Sequence, residues 1–118
     1  MAYIQYAEVN SLDEISMIAG NDFTMTFTVY QDDGVTLQDI GGASIKWMLA
    51  PYGQSDYNVL QYNGDIITAN SFTISLLGAD TINLSGKYIQ QLKINSFYGQ
   101  VYRPAQGVVL FIPATPTT

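Results

Sequence analysis

Between residues 20 and 49 the chain alternates in a way that suits a strand. Phe23, Met25, Phe27 and Val29 are large and apolar, and Thr24, Thr26 and Thr28 stand between them. A side-chain period of two sends the first set to one face and the hydroxyls to the other, which predicts a half-buried antiparallel strand over residues 23–30. Asp32-Asp33-Gly34 follows at once, and Gly34 can take the positive φ that a tight reversal requires. The alternation returns at Phe72, Ile74 and Leu76, spaced by Thr73 and Ser75. Further apolar runs predict strands over residues 14–18, 44–49, 58–62, 65–68, 86–95 and 101–112, with a brief pairing at 35–37. Asn63-Gly64, a strong hairpin signal, predicts that 58–62 folds back on 65–68. Pro104 to Gly107 should interrupt the last strand, because proline fits a sheet only at an edge or a bulge. Residues 1–13 lack a clean period and read as an arm or edge segment, and 114–118 as a short disordered tail. No window reads as an amphipathic helix, and no repeat or linker marks a second domain.

Turn residues recur about every eight to twelve positions, the spacing of an all-β sandwich or barrel. About seven antiparallel strands, with Trp47 on the third, match the immunoglobulin-like β-sandwich over residues 14–113. Phe23, Phe27, Trp47 and Tyr88 are the expected core, although no cysteine pair accompanies the tryptophan. Tyr88, just inside a long strand after Leu84-x-Gly86, stands where a tyrosine corner would return its hydroxyl to an upstream backbone group; simple ring packing is the other reading.

Charge then removes partner classes. Four Lys plus Arg against ten Asp plus Glu give a net charge of −6, and Lys46, Lys87, Lys93 and Arg103 form no cluster in sequence. A phosphate-tracking surface needs concentrated positive charge, so neither nucleic acid nor an anionic membrane is expected as a partner. No apolar run approaches the ~20 residues needed to cross a bilayer, and the N-terminus lacks the basic and apolar regions of a signal peptide, which predicts synthesis in the cytoplasm. Only 12% of residues are charged, against roughly 25% in ordinary soluble domains. Part of the surface should therefore be Thr, Ser, Asn, Gln and Tyr, and part should be covered by partners.

The chain has no histidine and no cysteine, so the usual bases, thiol nucleophiles and nitrogen or sulfur metal ligands are missing. A carboxylate pair could still cleave glycosides, but Asp32, Asp33, Asp39, Asp56, Asp65 and Asp80 all fall in or beside reversals, where Asp caps its own backbone. Calcium at Asp32, Asp33 and Asp39 competes with a solvated turn, and no EF-type spacing supports the ion. No enzyme, cofactor or metal site is expected. Aromatic placement offers more. Tyr52, Tyr57, Tyr62, Phe97, Tyr98 and Tyr102 fall in loops or at strand ends and are the candidate interface, suited either to protein contacts or to sugar stacking.

Gly20-Asn21-Asp22 before the alternating strand, Asp32-Asp33-Gly34, Ile40-Gly41-Gly42-Ala43, the strand holding Trp47, Leu84-x-Gly86-x-Tyr88 and a terminal aliphatic strand together resemble the immunoglobulin-like N-terminal domain of phage baseplate upper proteins and related small virion proteins. The likeness runs over residues 15–113 and consists of turn glycines and strand periodicity. Asn21-Asp22 shifts the acidic residue by one place, and no long C-terminal extension follows to supply a receptor-binding part. What the resemblance implies is a non-enzymatic virion structural protein of baseplate, tail, fibre attachment or head decoration, present in multiple copies and bound to capsid, tail, baseplate or fibre subunits. The alternative is a small carbohydrate-binding or adhesion module that contacts host glycans.

Overall fold

The alternating strand and its neighbours do form two packed sheets. The structure, a computed structural model, describes residues 2–5, 10–53 and 58–113. Along the chain come β1 (Ala2–Gln5), β2 (Asn10–Ile18), β3 (Phe23–Tyr30), β4 (Ser44–Pro51), β5 (Leu60–Asn63), β6 (Asp65–Thr68), β7 (Ser71–Leu76), one helical turn α1 (Gly78–Thr81), β8 (Gly86–Asn95) and β9 (Val101–Ile112). One sheet has the order β1-β3-β7-β6 and the other β2-β9-β8-β4-β5. With β3 to β9 taken as strands B to G, the split first strand joins B-E-D on one side and G-F-C-C′ on the other. The fold is an immunoglobulin-like β-sandwich.

Nine strands among the described residues exceed the seven or so expected: residues 2–5, read as part of an arm or edge segment, pair at one sheet edge, and the strand expected over 14–18 already begins at Asn10. Both of those pairings, β1 on β3 and β2 on β9, are parallel, while the remaining strand pairs are antiparallel. The inward residues alternate as the sequence requires: Ile45, Trp47 and Leu49 on β4, Leu92 and Ile94 on β8, and Phe27 and Val29 on β3 are all buried. Phe27 and Phe72 are register partners whose rings stack at 5.1 Å. Phe23 departs from its expected core role. Burial deepens along β3 from Phe23, 37% exposed at the rim, to Val29 at 0%.

The predicted hairpin at Asn63-Gly64 is absent. β5 pairs with β4 and β6 with β7, so the two strands lie in different sheets and the dipeptide is a crossing between them. A type I′ turn would need positive φ, which neither Asn63 nor Gly64 adopts. Glycine serves there by its size: a Cβ would come within 2.9 Å of Ile45 Cγ2 and 3.2 Å of Phe72 Cδ2. The last strand is likewise not interrupted. β9 runs through Pro104 with a bulge opposite Lys93, before β2 begins to pair at Ala105, so the missing N–H costs no ladder bond.

Trp47 is tied where the sandwich ordinarily carries a disulfide. Gln90 stands two residues after Tyr88, the place of the F-strand cysteine in disulfide-bearing relatives of this fold, and its Oε1 accepts a 2.8 Å hydrogen bond from Trp47 Nε1. Both residues are buried. An indole N–H sealed from water needs such a partner, and the amide supplies it without oxidation chemistry.

Candidate functional site

The loops that leave β3 and β8 meet at one end of the sandwich, since Ser44 and Asn95 are register partners at the mouths of both loops. In the β8–β9 loop, Ser96 N–H donates to Gln100 O at 2.8 Å, Gly99 N–H to Ser96 O at 2.9 Å and Gln100 N–H to Ser96 Oγ at 3.1 Å, with Gly99 at φ 83°. So tight a reversal has no interior for its two corner residues. Phe97 is 73% exposed and Tyr98 88% exposed, their rings edge to face at 5.4 Å and 87°. Tyr102, half-buried at the loop base, donates from its hydroxyl to Gln100 Oε1 at 2.8 Å.

The β3–β4 loop braces this knob. Gly42 has φ 74°, and a Cβ there would sit 2.8 Å from Phe97 Cδ2, so the ring rests on bare backbone. Asp39 Oδ1 accepts from Gly41 N–H at 2.8 Å, Ile40 is buried, and its N–H reaches Ala69 O at 2.7 Å. Farther out, Asp33 accepts from the N–H groups of Val35 and Thr36 and from the Thr36 hydroxyl. Those bonds, the Thr36 backbone one first, hold the Asp33 carboxyl below its usual range. Asp33 and Asp39 thus shape turns, as their positions in the sequence suggested. Between the loops lies a cleft of about 390 Å³ that includes Asp39, Gly41, Phe97 and Tyr98 in its wall.

The candidate interface divides. Phe97, Tyr98 and Tyr102 gather at this end, whereas Tyr52 follows β4 at the opposite end, 58% exposed, with Lys87 Nζ 5.6 Å from its ring centroid. Tyr57 lies outside the described residues, as do 6–9 of the arm and the tail at 114–118. Tyr62 is half-buried and turned toward the sandwich. Its ring packs 6.1 Å from Trp47, its hydroxyl donates to Asp80 Oδ2, and it accepts from Leu77 N–H at 3.4 Å. Burial and then the Asp80 bond push its phenol upward from the ordinary value.

Tyr62 thereby performs the tether that a tyrosine corner would place on Tyr88. Tyr88 instead packs edge-on against Phe111 at 5.4 Å, the plainer of the two readings. The crossing held by Tyr62 is dense: Gly78 N–H donates to Asp22 Oδ1 at 2.7 Å, and Gly20 N–H to the buried Thr81 Oγ1 at 3.0 Å. Nothing periodic in the sequence marked a hydroxyl on β5 for this duty.

No protein-family model matches the chain, and no curated protein does either. Among solved structures, the extracellular domains 3–5 of Drosophila OTK are similar at TM-score 0.37 and 14% identity, covering 98% of this chain and 37% of that one. The chain therefore spans a little over a third of that neighbour's length. A likeness of that size adds nothing to the fold assignment, which rests on strand order and register.

Proposed function

We propose that the chain is a non-enzymatic assembly module that docks through the aromatic knob at its β3–β4 and β8–β9 loops, and that its place is a phage particle, in baseplate, tail, fibre attachment or head decoration. The observation that carries the docking is the pair Phe97 and Tyr98, exposed yet braced by Gly42 and a hydrogen-bonded turn. Rigid aromatic area with one polar tip loses little entropy on binding, which is why such residues dominate protein interfaces. The phage setting is supported by the turn glycines and strand pattern of residues 15–113 described above.

Glycan stacking fits the site less well. A sugar ring wants aromatic faces in one plane, and here the two knob rings stand at 87° while Tyr52 lies at the far end of the sandwich. The mechanism is geometric: a stiff sandwich presents the knob to a complementary pocket, and many copies of one modest contact build the assembly. Size-exclusion chromatography with light scattering, paired with a glycan array and particle co-purification, tests it. Self-association or co-purification without glycan binding is the expected result; glycan binding by an isolated monomer would sink the reading.

A further inference from the structure

We propose that the outer face of the five-stranded sheet is a second docking surface, one that receives a carboxylate-rich surface of another protein. The sequence scatters its four cations, but the fold gathers them. Alternation along β8 sends Lys87, Ile89, Gln91 and Lys93 outward, since Gln90, Leu92 and Ile94 are buried. On β4 the outward Lys46 is the direct register partner of Lys93. On β9 the bulge sets exposed Arg103, with Pro104, opposite Lys93. Lys46, Lys93 and Arg103 therefore stand side by side on three adjacent strands, a row about 10 Å wide at the usual strand spacing.

This arrangement opposes folding. Like charges directly opposite on neighbouring strands destabilise a sheet. Nor is it an edge-protection device, because β4 and β8 are interior strands. Asn63 continues the row on β5, and the next row reads Gln61, Met48, Gln91 and Gln106, so no acid stands in either, and the exposed Glu14 of β2 lies beyond them beside Ile89 and Val108. Among the described residues, none of the three cations forms an ion pair. In a chain of net charge −6, concentrating every cation on one face makes that face attractive to an anionic partner and the rest of the molecule repulsive to it.

A second copy of this chain fits the role poorly. Asp22, Asp33, Asp39 and Asp80 already accept hydrogen bonds from their own chain. The exposed Asp13 and Glu14 on β2 and Asp65 on β6 belong to different sheets and make no carboxylate-rich patch, which points to a foreign acidic surface. The interleaved Met48 and the partly exposed Ile89 and Val108 beyond it favour a folded protein over a bare polyanion.

The test uses the full chain and fluorescein-labelled poly-L-glutamate, followed by anisotropy at low and at physiological salt. Poly-L-glutamate should bind despite the net negative charge, more weakly as salt rises. Substituting Lys46→Gln, Lys93→Gln and Arg103→Gln together should weaken binding by about tenfold or more, and each alone by roughly two- to fivefold. Phe97→Ala with Tyr98→Ala should leave it unchanged, which separates this surface from the loop knob. Lys46→Gln alone should also raise the melting temperature, a readout independent of any ligand. No binding of poly-L-glutamate, full binding by the triple variant, or a lower melting temperature for Lys46→Gln would overturn the proposal. So would tighter binding to an oligothymidylate or to phosphatidylserine vesicles, or self-association that the triple variant abolishes.

Discussion

Replacing Gln90 with leucine removes the only acceptor that Trp47 Nε1 is seen to use. Trp47 is 0% exposed and Gln90 2%, so water cannot substitute without opening the core. An unsatisfied buried donor costs about 1–3 kcal/mol, and the apolar leucine, easier to bury than an amide, offsets a fraction of that. The net loss is then about 1–2 kcal/mol, which for a domain of this size lowers the melting temperature by roughly 4–10 °C. Urea unfolding of Gln90→Leu measures it, with the single tryptophan as reporter. A double-mutant cycle sharpens the attribution. Trp47→Phe leaves the Gln90 carbonyl without its donor, so the double variant should be less destabilised than the two singles summed, by about 1–2 kcal/mol. Calorimetry serves the variants that lack the tryptophan. A Gln90→Leu protein as stable as the parent, or strictly additive costs, would refute the claim that an amide-to-indole bond replaces the disulfide in this core.

Three further outcomes are expected. Burial and the Asp80 bond raise the Tyr62 phenol above its unfolded value, so the stability it contributes is full below about pH 10 and is lost as pH rises through the folded value; Tyr62→Phe should flatten that alkaline loss in pH-dependent melts and cost about 1 kcal/mol at neutral pH. Asp33 is held low, so its contribution is present above the ordinary value of 3.8 and disappears as pH falls through the folded value; Asp33→Ala should reduce the acid dependence of melting below about pH 4. Gly78→Ala would put a Cβ 2.1 Å from the Gly20 carbonyl oxygen, and the forced shift of the β2–β3 turn should cost about 2–4 kcal/mol in chemical denaturation.

Periodicity carried most of the fold. The strands at residues 23–30, 86–95 and 101–112 match the expected bounds, because each shows one buried and one exposed face. Asn63-Gly64 misled because local turn chemistry competes with the open edges of β4 and β7, and pairing with those edges buries more than a two-strand hairpin could. α1 escaped notice since one turn is too short for a helical period. Phe97 and Tyr98 were legible as loop aromatics, but the bracing by Gly42 was not, because it joins segments far apart in the chain. For the same reason the cations at 46, 93 and 103 look isolated in sequence and become a row only in register. Tyr62 and Gln90 are polar groups whose duties depend on what lies opposite them, and no spacing rule announces that.

The central claim is that the knob of Phe97 and Tyr98 is where the protein docks. Its most direct test compares the parent with a Phe97→Ser, Tyr98→Ser variant for incorporation into particles or capture of virion proteins, with melting temperature recorded for both. The account predicts a variant that folds as well as the parent, because the two side chains are mostly exposed, yet incorporates at least about tenfold less, as expected for interface anchors. Undiminished incorporation of a well-folded variant would contradict it.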